Sequence, residues 1–473
     1  MRVAAPLSLV VLILAAPHVR LEAQMRAPQL PSTSPFLGGV PSGTATPDTI
    51  TITLVDAMRR ALERNLAVLN AENQLGHAQG ARWKALSDLL PNVNGRVGDT
   101  RQQINLQAFG FGTFDVPGGS AFPNIVGPFN VFDARVYLSQ SVLDFGTLND
   151  VRAEAHNVEA ARQTIRGARD LVVFVTGTVY LQALAASARA DAARVQQATA
   201  ETLHRQALDL KQSGIIAGID VLRAEVELNA ETQRSTSATN EFEKAKLQLA
   251  RLIGLPLGQK FALDPMLPVL AGPEMSFDEA IAHAYQSRAD YQASLERVRA
   301  AEASRRAVVG AALPSLHVNA DYGDIGLTPS GAKATFTVAG AVNVPIFQGG
   351  RTRGKLAEAD ADLRNRQNEA DDMKASIYYE VQSAFLDLQA TSQQLQVATK
   401  ARDLAEQQLA QSRDRFAAGV ASNIEVVQAQ QAVAVATEQH ISALYGYDLA
   451  KGALLRGVGS AEDTLQHLLG GSR

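Results

Sequence analysis

A chain of 473 residues with 5% aromatics, no cysteine and a formal net charge of −4 has the length of two or three domains but not the composition of thick globular cores. The missing cysteine excludes disulfides, thiolate metal sites, cysteine nucleophiles and lipid attachment through an N-terminal cysteine. The mild charge excludes a polyanion-binding surface, so no nucleic acid is expected as a partner.

Residues 1–23 have the form of a signal peptide: Arg2, an apolar run over 7–16, and a cleavage site after Ala23. Removing Arg2, Arg20 and Glu22 leaves a mature charge of −5. A run of about 10 residues is short of the ~20 that span a bilayer. No other segment reads as long enough, so a membrane role is expected to come from strands. Residues 24–49 form a proline-rich N-terminal segment.

All 18 prolines fall in a few zones, and the proline-free regions 48–90, 129–255, 274–313 and 346–473 are where long helices can form, since an interior proline costs a helix about 3 kcal/mol. A first repeat spans 50–255. It opens with a helix over 54–90 capped by Thr53, followed by a hairpin at about 92–142, a helix of nearly 70 residues over 147–213 and a helix over 219–253. Within the long helix Val151, Val158, Ile165, Val172 and Val179 recur every seven residues, with Ala161, Ala168 and Val175 as a second seam. In the hairpin Phe132, Ala134, Val136 and Leu138 alternate with Asp133, Arg135, Tyr137 and Ser139.

A linker over 256–273 leads to a second repeat, 274–459, with a tail at 460–473. Here Ser276 caps a helix over 277–313, and a hairpin follows at about 315–345. Its strands carry Leu316, Val318, Ala320 and Tyr322 on one face, with Phe336, Val338, Gly340, Val342 and Val344 opposite. A second long helix covers 351–418, with Leu356, Leu363, Ala370, Ile377 and Ala384 in its seam. The landmarks pair: the two Leu-Pro ends at Pro91 and Pro314, Tyr180 with Phe385, Gly214 with Gly419, and Asp220 with Glu425.

At ~1.5 Å per residue a helix of nearly 70 residues runs about 100 Å, twice its neighbours, so two half-length helices should stack end to end beside each full-length one. The junctions, with the 256–273 linker, then lie midway. Alternating strands of about 10 residues suit a bilayer, although a soluble half-buried hairpin alternates equally well. The lipid-facing set would be Phe132, Val136, Leu316, Val318, Tyr322, Val338 and Val342. Four strands per chain leave edges that lipid does not tolerate, so several chains must close the barrel, and three would leave a lumen.

The duplicated layout, the Val344-Pro345-Ile346-Phe347-Gln348-Gly349-Gly350-Arg351 run and the segments 214–224 and 419–429 resemble the outer-membrane factor family, the TolC-like channels, over nearly the whole mature chain. The resemblance implies a mainly α fold with a membrane β-barrel portion. Three copies would form a 12-stranded barrel continued by a periplasmic coiled-coil tube. It further implies an outer-membrane channel subunit of a tripartite efflux or type I secretion system, with a periplasmic adaptor, an inner-membrane pump and outer-membrane lipid as partners. The insert over 108–128 is longer than its counterpart at 325–333. The alternative is a periplasmic coiled-coil scaffold or adaptor without its own pore.

No catalytic constellation, cofactor site or metal site is expected. The run from Gly349 to Lys355 imitates a phosphate-binding loop, but Leu356 stands where a hydroxyl must hold Mg²⁺, and a strand-to-helix hinge explains its glycines. The eight histidines lack the convergent spacing of a metal site. The turns at Ser213, Gly214, Ile215 and at Ala418, Gly419, Val420 place glycine where a left-handed C′ residue is wanted, with Asp220 and Glu425 following. Ordinary capping accounts for those acids. Under the family resemblance the turns become adaptor-docking tips, and Glu425, Gln428 and Asp220 a periplasmic gate. The resemblance also puts that gate's strength in question, because the family often has an acid where Gln428 stands.

Overall fold

The computed structural model describes residues 34–110, 123–214, 216–266, 275–418, 420 and 423–462. In chain order the strands and helices are β1 (Ile50–Ile52), α1 (Leu54–Arg64), α2 (Leu66–Ser87), β2 (Asn92–Asn105), β3 (Ile125–Leu143), α3 (Phe145–Gln212) and α4 (Gly218–Leu252). They continue as β4 (Phe261–Leu263), α5 (Phe277–Ser287), α6 (Ala289–Gly310), β5 (Ser315–Gly326), β6 (Lys333–Asn343), α7 (Arg351–Ala417) and α8 (Asn423–Gly457). The duplication is strict in register. From Leu66 to Ala289, the starts of two 22-residue helices, is 223 positions; from Gly218 to Asn423, the starts of two 35-residue helices, is 205.

Both long helices form, with 68 residues in α3 and 67 in α7. The opening helices do not run unbroken to 90 and 313 as the proline spacing suggested. Each breaks once, at Asn65 and at Arg288, residues with extended backbone at corresponding positions of the two repeats. Freedom from proline permits a helix but does not hold one against a competing cap. The buried Asn65 amide accepts from Ala67 N–H and donates to the Phe36 carbonyl, both at 2.9 Å, which caps α2 from inside the run. Arg288 makes the same break by ion pairing, to Asp290 at 2.5 Å and Glu380 at 2.7 Å. The outer caps are as expected: Thr53 accepts from Asp56 N–H at 3.1 Å, and Ser276 forms a capping box with Glu279.

The half-length helices stack beside the full-length ones. Both α2 and α4 pack on α3, while α6 and α8 lie between α3 and α7. Of the anticipated seams, Val158, Ala168, Val172, Val175 and Val179 in α3 and Ala370, Ile377 and Ala384 in α7 are buried, while Val151, Ala161, Ile165, Leu356 and Leu363 are half-buried. Many of the residues buried along these helices are alanines, which lets helix axes approach closely.

Midway along α3 lies a small parallel sheet that periodicity did not reveal, β1 paired with β4. Three-residue strands are too short to show alternation. The Tyr180 hydroxyl, fully buried, donates to the Ile52 and Asp264 carbonyls at 2.9 Å each. This fixes the start of the 256–273 linker at mid-helix, as the lengths required. Burial pushes the Tyr180 phenol up to about 12. Around it Leu54, Met58, Val68, Val172, Leu249 and Phe261 form the largest core. The expectation that no segment after the leader is apolar enough to span a bilayer needs correction, because one 18-residue window of α3 passes that test. It is 67% buried inside the chain and belongs to this core.

The four longer strands form one antiparallel sheet in the order β2-β3-β5-β6, leaving β2 and β6 as edges. Register confirms a common face for the residues expected to meet lipid: Val136 opposes Tyr322, Leu316 opposes Val342 and Ala320 opposes Val338. Phe132 and Val318 share that face through Gly326 and Gly340. On the opposite face Arg135 pairs with Asp133 at 2.9 Å and Asp321 at 2.8 Å and reaches Thr335, tying three strands together. Gly323 makes room for it, since a Cβ there would collide with the Ala134 carbonyl and lie 2.5 Å from Arg135 Cα. Most of the 108–128 insert, over 111–122, lies outside the described residues.

Candidate functional site: the helical tips and their groove

The two tips are the turns far from the sheet, between α3 and α4 and between α7 and α8. At the first, Ser213 closes α3 and Gly214 takes φ +74°, the left-handed geometry expected of it. Ser213 also turns its hydroxyl onto the Asp209 carbonyl at 3.0 Å. Ile216 covers the small cluster of Ala207, Val221 and Ala224 that zips the hairpin shut. At the second, Ala418 N–H donates to Asp414 and Val420 N–H to Arg415, both at 3.0 Å; the latter is the longer bond of a Schellman close. Val420 is 69% exposed. Two of the anticipated tip residues, Ile215 and Gly419, lie outside the described residues.

The orientation of α8 follows from its burial pattern. Val426, Ala429 and Gln430 are buried, so Glu425 and Gln428 lie on the other, more open face. Glu425 is paired with Arg415 across the turn at 3.5 Å, both side chains more than a third exposed. Its counterpart Asp220, in the first turn of α4, pairs with Arg223 at 3.2 Å. An exposed pair of this kind contributes about 0–1 kcal/mol, so these ion pairs tune charge more than they hold the tips. The structure therefore groups Glu425 with a cation as well as with Gln428, a neighbour that sequence spacing did not reveal because Arg415 belongs to the preceding helix.

Sequence reasoning also missed a groove of about 710 Å³ just above the tips. Val195, Thr202, Leu203 and Leu210 of α3 form one wall, Arg413 and Phe416 of α7 the other. Val195 and Thr202 stand one heptad apart, but their role appears only when α3 and α7 are brought together over α8.

The hinge before α7 carries Gly349 at φ +59° and Gly350 at φ +82°, with Gly350 as N-cap, consistent with a bend from strand into helix. Two of the histidines are tied into local structure, His156 to Glu296 at 2.8 Å and His283 to the Val458 carbonyl at 3.0 Å. Among the described residues no group of three or more His, Cys, Asp or Glu side chains is arranged to hold a metal ion.

A sheet with one apolar face, set on a duplicated bundle of half- and full-length helices, agrees with a family comparison. The family model of outer membrane efflux proteins matches residues 57–255 and 280–460, one segment per repeat. The chain belongs to that family. The outer membrane efflux protein BepC of Brucella suis is 23% identical over 407 residues, covering 80% of this chain and 84% of BepC. The toluene efflux pump outer membrane protein TtgF of Pseudomonas putida is 25% identical over 365 residues, 75% of this chain and 72% of TtgF. Among solved structures, the outer membrane channel CmeC of Campylobacter jejuni aligns with a TM-score of 0.76 at 18% identity, covering 95% of this chain and 97% of CmeC. The open-state MtrE channel of Neisseria gonorrhoeae gives 0.73 at 17%, covering 92% and 98%. At such identity these two establish the fold alone. This efflux protein is thus an outer-membrane channel component of an efflux or secretion system, with its helices extending into the periplasm. The family and these relatives are channels, not enzymes, and the reading as a scaffold without a pore is set aside.

Proposed function

We propose that three copies of the chain close a 12-stranded barrel and a continuous helical tube, giving substrates a passive exit from a periplasmic adaptor and inner-membrane pump to the exterior. The observation that carries this is the pair of unfinished flanks. Strands β2 and β6 are open edges, which lipid does not tolerate. Below them α4 bears exposed Ile219, Leu222, Val226 and Leu247, and α7 exposed Tyr379, Leu386, Val397 and Leu404. Ile219, Val226 and Leu247 repeat in multiples of seven, as do Tyr379 with Leu386 and Val397 with Leu404, so each flank is a coiled-coil seam lacking its partner. The occupant that fits both is a second copy of this chain.

The duplication supplies the register of that seam. Within one chain α3 meets α6 where a Cβ on Gly167 would lie 3.7 Å from Ala289 Cβ. The corresponding positions in the other repeat are Asp372, 205 later, and Leu66, 223 earlier, and both are exposed. They should meet between chains at a spacing within the ~3.5–4.5 Å range of a disulfide. Similarly Gly146 meets Ala311, and the equivalents Arg351 and Asp88 carry opposite charges. Because the chain has no cysteine, Leu66→Cys combined with Asp372→Cys should yield a covalent trimer on oxidation, and either change alone only monomers. Failure of the double variant to cross-link while it folds in the outer membrane would reject this closure.

At the tips the reading is docking of the adaptor on Gly214, Val420 and the groove between α3 and α7, whose Leu210 and Phe416 offer apolar anchors. The gate would be a ring of Glu425, each beside its own Arg415, with Gln428 and Asp220 nearby. Mixed charge weakens the repulsion that three bare carboxylates would suffer, so closure would rest on helix packing and the ring would set ion preference.

A further inference from the structure

Glu231 lies on α4 against α3, with its side chain 1% exposed. One oxygen is held by Arg234. The other, Oε2, has no donor, and neither does the buried Oε1 of Glu227, one helical turn earlier. Residues four apart on a helix lie side by side, so the two carboxyl groups neighbour each other on one face of α4. Two acceptors face each other where no donor is present, and a buried acceptor left unpaired costs about 1–3 kcal/mol, more when charged.

No side chain of α3 donates to either oxygen. Ala207 of α3 packs with Val221 and Ala224 of α4, so one heptad further along the antiparallel pair Glu231 comes level with buried Ala200, and Glu227 with half-buried His204. The other charged groups of α3 at this level, Arg194, Glu201 and Arg205, are exposed; on α4 itself the charged neighbours are Arg234, held on Glu231, and Arg223, one turn before Glu227 and paired with Asp220. Packing does not demand acids here. The corresponding positions of the second repeat, 205 further on, are Ala432 and Ala436, the latter buried.

We infer that Glu227 and Glu231 form a carboxyl–carboxylate pair that binds one proton between Glu227 Oε1 and Glu231 Oε2, making the α3–α4 hairpin lose stability as pH rises above the ordinary glutamate range, a dependence that the corresponding alanines of the α7–α8 hairpin cannot confer. The proton supplies the one donor that satisfies both oxygens. Its loss sets two carboxylates side by side in a largely apolar seam, with one guanidinium, on the far oxygen of Glu231, to offset them, and loosens the hairpin that carries the first tip. Burial raises the pKa of Glu231, Arg234 opposes the shift and Glu227 adds to it. A carboxyl whose folded pKa lies above its unfolded one stabilises the fold below the ordinary glutamate range. That contribution fades as pH rises through the folded value.

The test uses the full-length protein in detergent, followed by infrared spectroscopy and melting across pH. In the wild type a protonated-carboxyl band should persist above the ordinary glutamate range, and the melting temperature should fall with rising pH for as long as that band persists and level off once it is lost. Burial also raises Asp150 and Asp448, so assignment rests on variants: Glu227→Gln and Glu231→Gln should each remove this pair's part of the band and flatten the fall in melting temperature. The double change to alanine, copying the second repeat, should fold and behave likewise. A band undiminished in both glutamine variants, or a fall in melting temperature with pH that is unchanged in them, overturns the inference. So does loss of stability on adding a chelator at neutral pH, which would put a metal cation where the proton is placed.

Discussion

Replacing Arg288 by methionine would remove the group that holds the helix break of the second repeat. Its side chain is 4% exposed and joins Asp290, on the next helix, to Glu380 of α7. Breaking a buried pair by deleting one partner costs about 3–5 kcal/mol. The low end applies, because Glu380 is 37% exposed and keeps Arg456 at 3.6 Å, so part of its charge stays solvated and paired. About 3 kcal/mol corresponds to roughly a hundredfold change in a local opening equilibrium. Hydrogen exchange of the α5 and α6 amides should therefore accelerate about a hundredfold in Arg288→Met, with the sheet unaffected. Burial alone would raise the pKa of Asp290, but Arg288 outweighs it and holds that carboxyl below its usual range. Stabilisation of this sign is complete above the ordinary aspartate range and is lost as pH falls through the depressed folded value, so the difference between wild type and variant should shrink in acid. Unchanged exchange in α5 and α6, or a difference that grows in acid, would refute the assignment of the break to this ion pair.

In the sheet, Gly323→Ala should abolish assembly of the proposed trimer in cross-linked outer-membrane fractions, whereas Gly340→Ala, with nothing within 4 Å of the added carbon, should be neutral in the same assay. Val342→Arg should cost about 2–4 kcal/mol at the lipid face and deplete the protein from outer-membrane fractions, while Asn319→Arg on the opposite face should be tolerated; equal depletion would mean that the sheet does not present one face to lipid. At the tips, Glu425→Gln should lower cation preference in single-channel recordings, and Arg415→Gln should raise it, since the two share one ion pair. Identical selectivity in both variants would move the constriction elsewhere.

Much of this architecture was legible in the sequence because long-range regularity leaves periodic marks. The heptads of α3 and α7, the alternation in β3, β5 and β6, and the Leu-Pro ends of both opening helices repeat over spans too long to arise from local chance. What escaped was decided by single contacts. Nothing in the residues around Asn65 or Arg288 distinguishes a break from a continuous helix until Phe36 and Glu380 are brought alongside. The β1–β4 pairing involves three residues a side, 211 positions apart from Ile50 to Phe261, and so has no period to detect. The partnership of Glu425 with Arg415 and the groove above it likewise exist only across helices. The acid pair on α4 was visible as two residues, but only burial separates it from the solvated charges around it.

The placement of the helix breaks has a mechanical consequence. At the level of the small β1–β4 collar the neighbouring helices are interrupted, while α3 and α7 run through it without a joint. A tube of this kind resists bending as a set of spars does: the interrupted members can slide at their joints, but the continuous pair carries load along its whole length. A pull applied at the tips by a docked protein would therefore be delivered as strain at the two connections into the sheet. These are Asp144, whose carboxylate clamps the first turn of α3 through Gly146 and Thr147, and the Gly349-Gly350 hinge, which has no such clamp. Of the two spars in each chain, α7 is the one mounted on a pivot.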